Sequence, residues 1–325
     1  VDSVAPEIVD KQGQRLFKKS CVLSVLRGAN HTDRNMIHSL GYGEKGSGKS
    51  KIMEFIEEVT EDSKFSDMQN ATGPGLTATA KETSKLQGEG SQWIITSGMI
   101  PQTHGSVALL DELDKMDERD QTLISTPMSS GRVIVEKAGE AELKAETSII
   151  ATANPEDHSY DGSEPIESLA LPQHVIDRFD VMVRVDDEIK DRDKEREMLK
   201  KQAKLDKGNY EVPFDRQTLK EYLAYAKEFE PEMSEDANEQ IVEQILDLRM
   251  DYKESSLTAL EISARDQEKL TRLSSAMAKL RLSETVEVED VDRAWNLMLE
   301  GYQSMTFDAL NLAKSKIPVN QGDDE

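Results

Sequence analysis

The sequence predicts an α/β fold, a sandwich of helices on a parallel sheet with a phosphate-binding loop, followed by a small all-α domain. Three observations lead there. Residues 43–50 spell G-x-x-x-x-G-K-S between a strand-like run and a helix-like stretch. The runs at 106–110 and 147–153 lack charge and have the continuous hydrophobic character of strands covered on both faces, as in a parallel sheet. From residue 214 to residue 308 the apolar residues recur at helical spacing throughout.

Taken in order, a segment of mixed helical character up to about Asn35 leads into a short strand at 37–43 that ends in glycines. Residues 51–59 place Ile52, Phe55, Ile56 and Val59 on one helix face. Residues 62–97 show no steady period, with two glycines and a proline in 71–80 and a polar stretch at 81–91, so loops and short insertions are expected. Residues 133–135 and 141–144, parted by Lys137-Ala138-Gly139, predict a β-hairpin, and 181–185 predicts another buried strand. Residues 188–207 are almost entirely charged and Pro213 closes that stretch, as in a connector. Leu219, Tyr222 and Leu223, then Ile241, Ile245 and Leu248, then Leu270, Leu273, Met277 and Leu280 are the stripes of a helical bundle. The expected organisation is an α/β core over 1–187, a connector over 188–212, a helical domain over 213–310 and an acidic tail over 311–325.

A length of 325 residues suits two domains at about 150 each. With 32% charged and 37% hydrophobic residues the composition is that of a folded, soluble protein. The longest stretch without charge, 93–110, is too polar for a bilayer, so no membrane segment is expected. The one cysteine, Cys21, excludes an internal disulfide and a cysteine-anchored zinc cluster. An intracellular protein fits, in the cytoplasm or nucleoid, or in a eukaryotic nucleus. The start on valine, with neither basic nor apolar leader, suggests a fragment. A net charge of −24 repels nucleic acid as a whole-body field, so any contact with it has to be local.

The chemistry starts at Gly43-Glu44-Lys45-Gly46-Ser47-Gly48-Lys49-Ser50. Glycines let backbone N–H groups wrap phosphates, and the helix that follows adds partial positive charge. Lys49 is expected on the β- and γ-phosphates of ATP and Ser50 on Mg²⁺. Asp111 and Glu112 follow the apolar run at 106–110, where carboxylates are costly unless used. Asp111 can bind Mg²⁺ and Glu112 can polarise an attacking water. Asn154, at the end of the 147–153 strand, would lie beside them and orient that water, although an Asn-Pro pair alone marks a turn. ATP hydrolysis is the chemistry that these motifs favour together.

These residues resemble a known family. Arg34-Asn35-Met36-Ile37-His38, Gly73-Pro74-Gly75-Leu76-Thr77, Leu110-Asp111-Glu112-Leu113-Asp114-Lys115-Met116, Lys137-Ala138-Gly139, Ala151-Thr152-Ala153-Asn154-Pro155 and Asp177-Arg178-Phe179-Asp180 are similar, in the same order, to the motifs of minichromosome maintenance (MCM) helicases. Ile262-Ser263-Ala264-Arg265 and Arg272-Leu273-Ser274-Ser275-Ala276 resemble the signature of that family's helical lid. Glu44-Lys45, Gly48 and Leu113 depart from the usual Asp-Pro, Ala and Phe, as in a divergent, archaeal-type member. The resemblance implies a P-loop AAA+ core and lid, a homo-hexameric ring with ATP held between subunits, and translocation on single-stranded or forked DNA through the ring channel. It implies that Arg178 is an arginine finger for the adjacent subunit and Arg265 the second sensor arginine. It also implies that Lys137 touches DNA from a hairpin in the channel, and that a second channel loop lies near 87–99. Two other readings stay open at this point. A related AAA+ remodeller would hydrolyse ATP indifferently to DNA, and a regulatory ring subunit would not hydrolyse it, against which stand Lys49, Asp111, Glu112 and Arg178.

Overall fold

The computed structural model describes residues 2–6, 8, 12–30, 34–82, 93–136, 141–155, 169–185, 196, 199–200, 212–254 and 264–305. The α/β part runs α1 (Gln12–Leu26), β1 (Ser39–Tyr42), α2 (Lys49–Val59), β2 (Lys64–Asp67), α3 (Gly73–Leu76), β3 (Ala78–Glu82), β4 (Trp93–Ser97) and α4 (Met99–Gln102). It continues with β5 (Val107–Asp111), α5 (Glu118–Ser130), β6 (Arg132–Val135), β7 (Ala141–Lys144), β8 (Ser148–Ala153), α6 (Gln173–Ile176) and β9 (Val181–Arg184). Parallel strands form a sheet in the order β2-β5-β8-β1-β9.

β1, β5 and β8 are buried along their whole length, as strands with helices on both faces must be. Helix α1 lies directly on β1, where Gly41 is required because a Cβ there would stand 2.7 Å from the Phe17 ring. Residues 62–97, expected to be loops and insertions, contain β2 and the antiparallel β3–β4 hairpin instead. β2 sits at the sheet edge with every residue exposed or half-buried, so no apolar run announces it. Its backbone ladder to β5, rather than side-chain burial, makes it a strand. β6 and β7 form the expected hairpin.

The helical part consists of α7 (Arg216–Lys227), β10 (Glu232–Met233), α8 (Glu235–Glu254), α9 (Ala264–Leu280), β11 (Thr285–Val286) and α10 (Val288–Met305). Asp215 caps α7 by accepting the Thr218 N–H at 2.7 Å. The α8 stripe and Leu270 and Leu273 of α9 are buried as expected, whereas Met277 and Leu280 are half-buried and Tyr222 is 37% exposed, its hydroxyl donating to the Leu280 carbonyl. Most of the expected connector and all of the tail at 311–325 lie outside the described residues.

One buried ion pair ties the two parts together. Arg272 of α9 meets Asp180, just before β9, at 2.5 Å, with the carboxylate fully buried. The other Asp180 oxygen accepts the backbone N–H of His38 at 2.7 Å. Burial alone would raise the Asp180 carboxyl, but Arg272, His38 and these hydrogen bonds hold it below its ordinary value.

The His38 ring is equally committed. Its Nδ1 accepts the Ile149 N–H at 3.0 Å, so the proton belongs on Nε2, which donates to the Met128 carbonyl at 3.1 Å. Burial brings its pKa down to about 4, against the opposing pull of Asp180. An unfolded chain takes up this proton below about pH 6.5, whereas the folded chain resists until about 4. Stability from this group is therefore complete above the unfolded pKa and falls as pH drops through that window. Between pH 7 and 5 the wild type is expected to lose about 2 kcal/mol more than His38→Asn. Urea unfolding at both pH values checks this, and equal losses would contradict it.

Candidate nucleotide site and an opposing arginine cleft

Strand register builds the first half of the site. Tyr42 pairs with Ala153 and Leu110 with Ala151, so the residues that follow, Gly43, Asn154 and Asp111, emerge together at one end of the sheet. That is where ligands bind in open α/β sheets. Gly43 has φ 152° and passes so close to β9 that a Cβ would stand 2.2 Å from the Val185 carbonyl oxygen. Gly46 (φ 88°) and Gly48 (φ 91°) turn the loop in the left-handed region, and nothing lies within 4 Å of a Cβ placed at Gly46. Gly48 caps α2 without a side-chain bond, so the first N–H groups of the helix face the loop. Gln14 of α1 braces the loop by donating to the Ser47 carbonyl at 3.1 Å. Lys49 is buried, and its ammonium reaches the carbonyls of Gly43 at 2.7 Å and Glu44 at 2.8 Å and the Ser47 hydroxyl at 3.2 Å. Half-buried Ser50 follows it in the first turn of α2.

The acids stand beside this loop. The Thr152 hydroxyl donates to Asp111 Oδ1 and accepts the Glu112 N–H at 3.0 Å, aligning both acids from the neighbouring strand. Glu112 has φ 54°, a left-handed turn off the end of β5 that directs its carboxylate away from the strand line. Glu112 Oε1 lies 3.4 Å from Asn154 Nδ2 and 3.3 Å from the ammonium of Lys45. The Asn154 N–H is held in turn by Asp114 Oδ1 at 3.0 Å. The structure thus brings Lys49, Ser50, Asp111, Glu112 and Asn154 to one place, and it adds Lys45 as a direct neighbour of Glu112. Thr152→Val keeps the shape but removes both bonds, and is expected to cost about 1–3 kcal/mol of stability. Denaturant midpoints measure it, and an unchanged midpoint would show that the hydroxyl holds nothing.

Arg178 and Arg265 lie elsewhere. Val181 pairs with Ser39, so Arg178, which precedes it, sits at the end of the sheet opposite Gly43. From Ser39 to Gly43 alone the strand rises about 13 Å. Arg178, Arg265, Arg34, Lys269 and Arg272 line one cleft between the α/β part and α9. Burial lowers the pKa of Arg178, and the charges of Arg265 and Arg34 lower it further, while Asp177 opposes them. Its Nε is buried without a hydrogen-bond partner. Glu268 takes up part of the positive charge through Arg34 at 2.8 Å and Arg272 at 3.7 Å. Arg34 belongs to a family-like motif that gives it no role of its own, and Lys269 stands in none of the motifs. Arg265, Lys269 and Arg272 recur at i, i+4 and i+7 along α9, the one signal that could have gathered them on a common face.

Lys137 lies outside the described residues, between Glu136 and Ala141 in the chain. Near the expected second channel loop the structure shows the β3–β4 hairpin, whose Trp93 and Ile94 are 43% and 54% exposed. No described helix is long and apolar enough to cross a membrane.

A phosphate loop, an acid pair and a helical lid on this sheet define a P-loop α/β domain of the AAA+ class. Two family models match the chain, the MCM P-loop domain over residues 1–203 and the MCM AAA-lid domain over residues 217–302, so the chain belongs to the MCM family. It is 29% identical over 316 residues to Minichromosome maintenance protein MCM of Saccharolobus solfataricus, covering 95% of this chain and 45% of that protein. It is 30% identical over 327 residues to DNA replication licensing factor MCM6 of Arabidopsis thaliana, covering 97% and 38%. To DNA replication licensing factor MCM4 of Drosophila melanogaster it is 28% identical over 325 residues, covering 95% and 36%. The chain spans less than half the length of these curated relatives.

Proposed function

We propose that this chain is the motor segment of a replicative DNA helicase, hydrolysing ATP at the subunit interfaces of a homo-hexameric ring. The observation that carries this reading is the division of the site. The phosphate loop with Asp111, Glu112 and Asn154 occupies one end of the sheet, and the Arg178 cleft occupies the other. A chain so built cannot bring its own Arg178 to its own loop, but a neighbour in a ring can.

In this reading the loop N–H groups and Lys49 hold the triphosphate, while Glu112, positioned by Asn154, takes the proton of the attacking water. Ser50 and Asp111 fit Mg²⁺, because a hydroxyl and a carboxylate are hard oxygen donors and Thr152 fixes one Asp111 oxygen. The metal, when bound, neutralises charge on the β- and γ-phosphate oxygens. Arg178 supplies permanent positive charge to the neighbour's γ-phosphate, with Arg265 beside it. Lys137 is assigned to the channel, where a ring of such lysines gives an otherwise acidic particle a local hold on single-stranded or forked DNA.

Steady-state ATP hydrolysis with and without single-stranded DNA, at ring-forming protein concentration, tests the proposal. Stimulation by DNA is the expected result. Robust hydrolysis indifferent to DNA would instead identify a remodeller that does not act on DNA.

A further inference from the structure

Behind the sheet, at the end opposite the phosphate loop, a cavity of about 490 Å³ opens between the α/β part and the lid. That size falls in the range of small-molecule sites. Its walls come from distant parts of the chain: Arg27 follows α1, Thr60 follows α2, Gly105 precedes β5, Lys227 ends α7, and Lys279 lies near the end of α9.

The cations are on the inside. Arg27 is 6% exposed and Lys279 2% exposed, and Lys227 is half-buried. Arg27 and Lys227 converge on Gly105. The Lys227 ammonium donates to its carbonyl at 2.6 Å, and an Arg27 Nη1 lies 4.0 Å from where a Cβ would be. Lys279 is held loosely, 3.5 Å from the Lys227 carbonyl and 3.3 Å from Glu230. The acids that line the cavity, Glu61, Asp62, Glu228 and Glu230, are all exposed residues at its rim. Glu230 is also engaged by both N–H groups of Asn30, at 2.6 and 2.7 Å, and Glu61 pairs with Lys220 at 3.5 Å.

Two side-chain polar atoms of residues that line the cavity have no partner within the chain. Arg27 Nε and the Thr60 hydroxyl are buried without a hydrogen bond, in residues more than nine-tenths buried. Such groups are rare unless something else satisfies them. Burial pulls the pKa of Arg27, Lys227 and Lys279 down, and Lys227 is lowered further by the other two. Three cations thus converge on the inner side of one space whose lining acids all stand at its exposed rim, and each keeps N–H donors.

We propose that this cavity binds a small phosphate-bearing anion, bridging the α/β part and the lid, with Arg27, Thr60, Lys227 and Lys279 as donors. Tetrahedral phosphate oxygens match a guanidinium, a hydroxyl and two ammonium groups arranged around one space. The volume leaves room for an ester tail.

Calorimetric titration with inorganic phosphate and with glycerol phosphate tests the proposal, with the phosphate loop saturated by a non-hydrolysable ATP analogue. Saturable binding of one equivalent is expected. Tighter binding of glycerol phosphate identifies a phosphomonoester, and equal binding identifies the free ion. Lys227→Gln should weaken binding about tenfold or more. Glu230→Gln, which frees Lys279 from its rim acid, should tighten it, a gain that misfolding cannot imitate. Absence of saturable binding, equal affinity in all three proteins, or binding lost only with Lys49→Ala overturns the proposal.

Discussion

Arg178→Ala is expected to lower ATP turnover about a thousandfold or more, the scale of a lost arginine finger, while ATP binding by the same chain is retained. The expectation follows from placement. Arg178 stands before β9 at the end of the sheet away from Gly43, in a cleft shared with Arg34, Arg265 and Lys269. Its half-buried guanidinium sits among like charges that oppose it, a costly arrangement that the γ-phosphate of the proposed shared site would relieve. A residue that serves only a neighbour's nucleotide contributes nothing to the affinity of its own loop. Binding of a fluorescent, non-hydrolysable ATP analogue, compared with steady-state turnover, separates the two effects. Loss of binding even in protein too dilute to form rings, where no neighbour's Arg178 contributes, would show that Arg178 supports its own fold instead.

Glu112→Gln should reduce turnover about a hundredfold to ten-thousandfold, the range ascribed to a positioned acid–base group. The substitution keeps size and hydrogen-bonding reach, so the Asn154 contact at 3.4 Å can persist, while the base is gone. It also removes the charge partner of Lys45, whose end of the pair is exposed, so the pair contributes little stability. Unfolding midpoints should therefore match the wild type, and nucleotide should stay bound without being hydrolysed. Turnover within a few-fold of wild type would transfer the base role to another group.

The sequence made some of this legible and concealed the rest for physical reasons. β5 and β8 are buried on both faces, so their residues form unbroken apolar runs that could be read directly, and the acids after β5 stood out against them. The phosphate loop could be read from spacing alone, because its glycines answer local backbone demands at Gly46 and Gly48. β2 and the β3–β4 hairpin were missed because exposed and edge strands need no apolar period. The Lys45–Glu112 pair joins residues far apart in the chain, a contact that only the sheet order creates. Arg178 was legible as a candidate only through the family motif, since one arginine before a strand carries no local signal. The cations of the rear cavity, which follow α1, end α7 and stand near the end of α9, come from distant parts of the chain and meet only where the lid packs on the core.

The central claim is that each site is completed by the neighbouring subunit, and mixing two inactive variants tests it most directly. Lys49→Ala lacks the loop lysine but retains Arg178, whereas Arg178→Ala lacks the arginine but retains the loop. Mixed rings contain interfaces that pair an intact loop with an intact arginine, so partial ATP hydrolysis should return, rising with total protein as rings assemble. Hydrolysis that stays at the level of the separate variants, in rings shown to contain both, would contradict the shared site and the motor built on it.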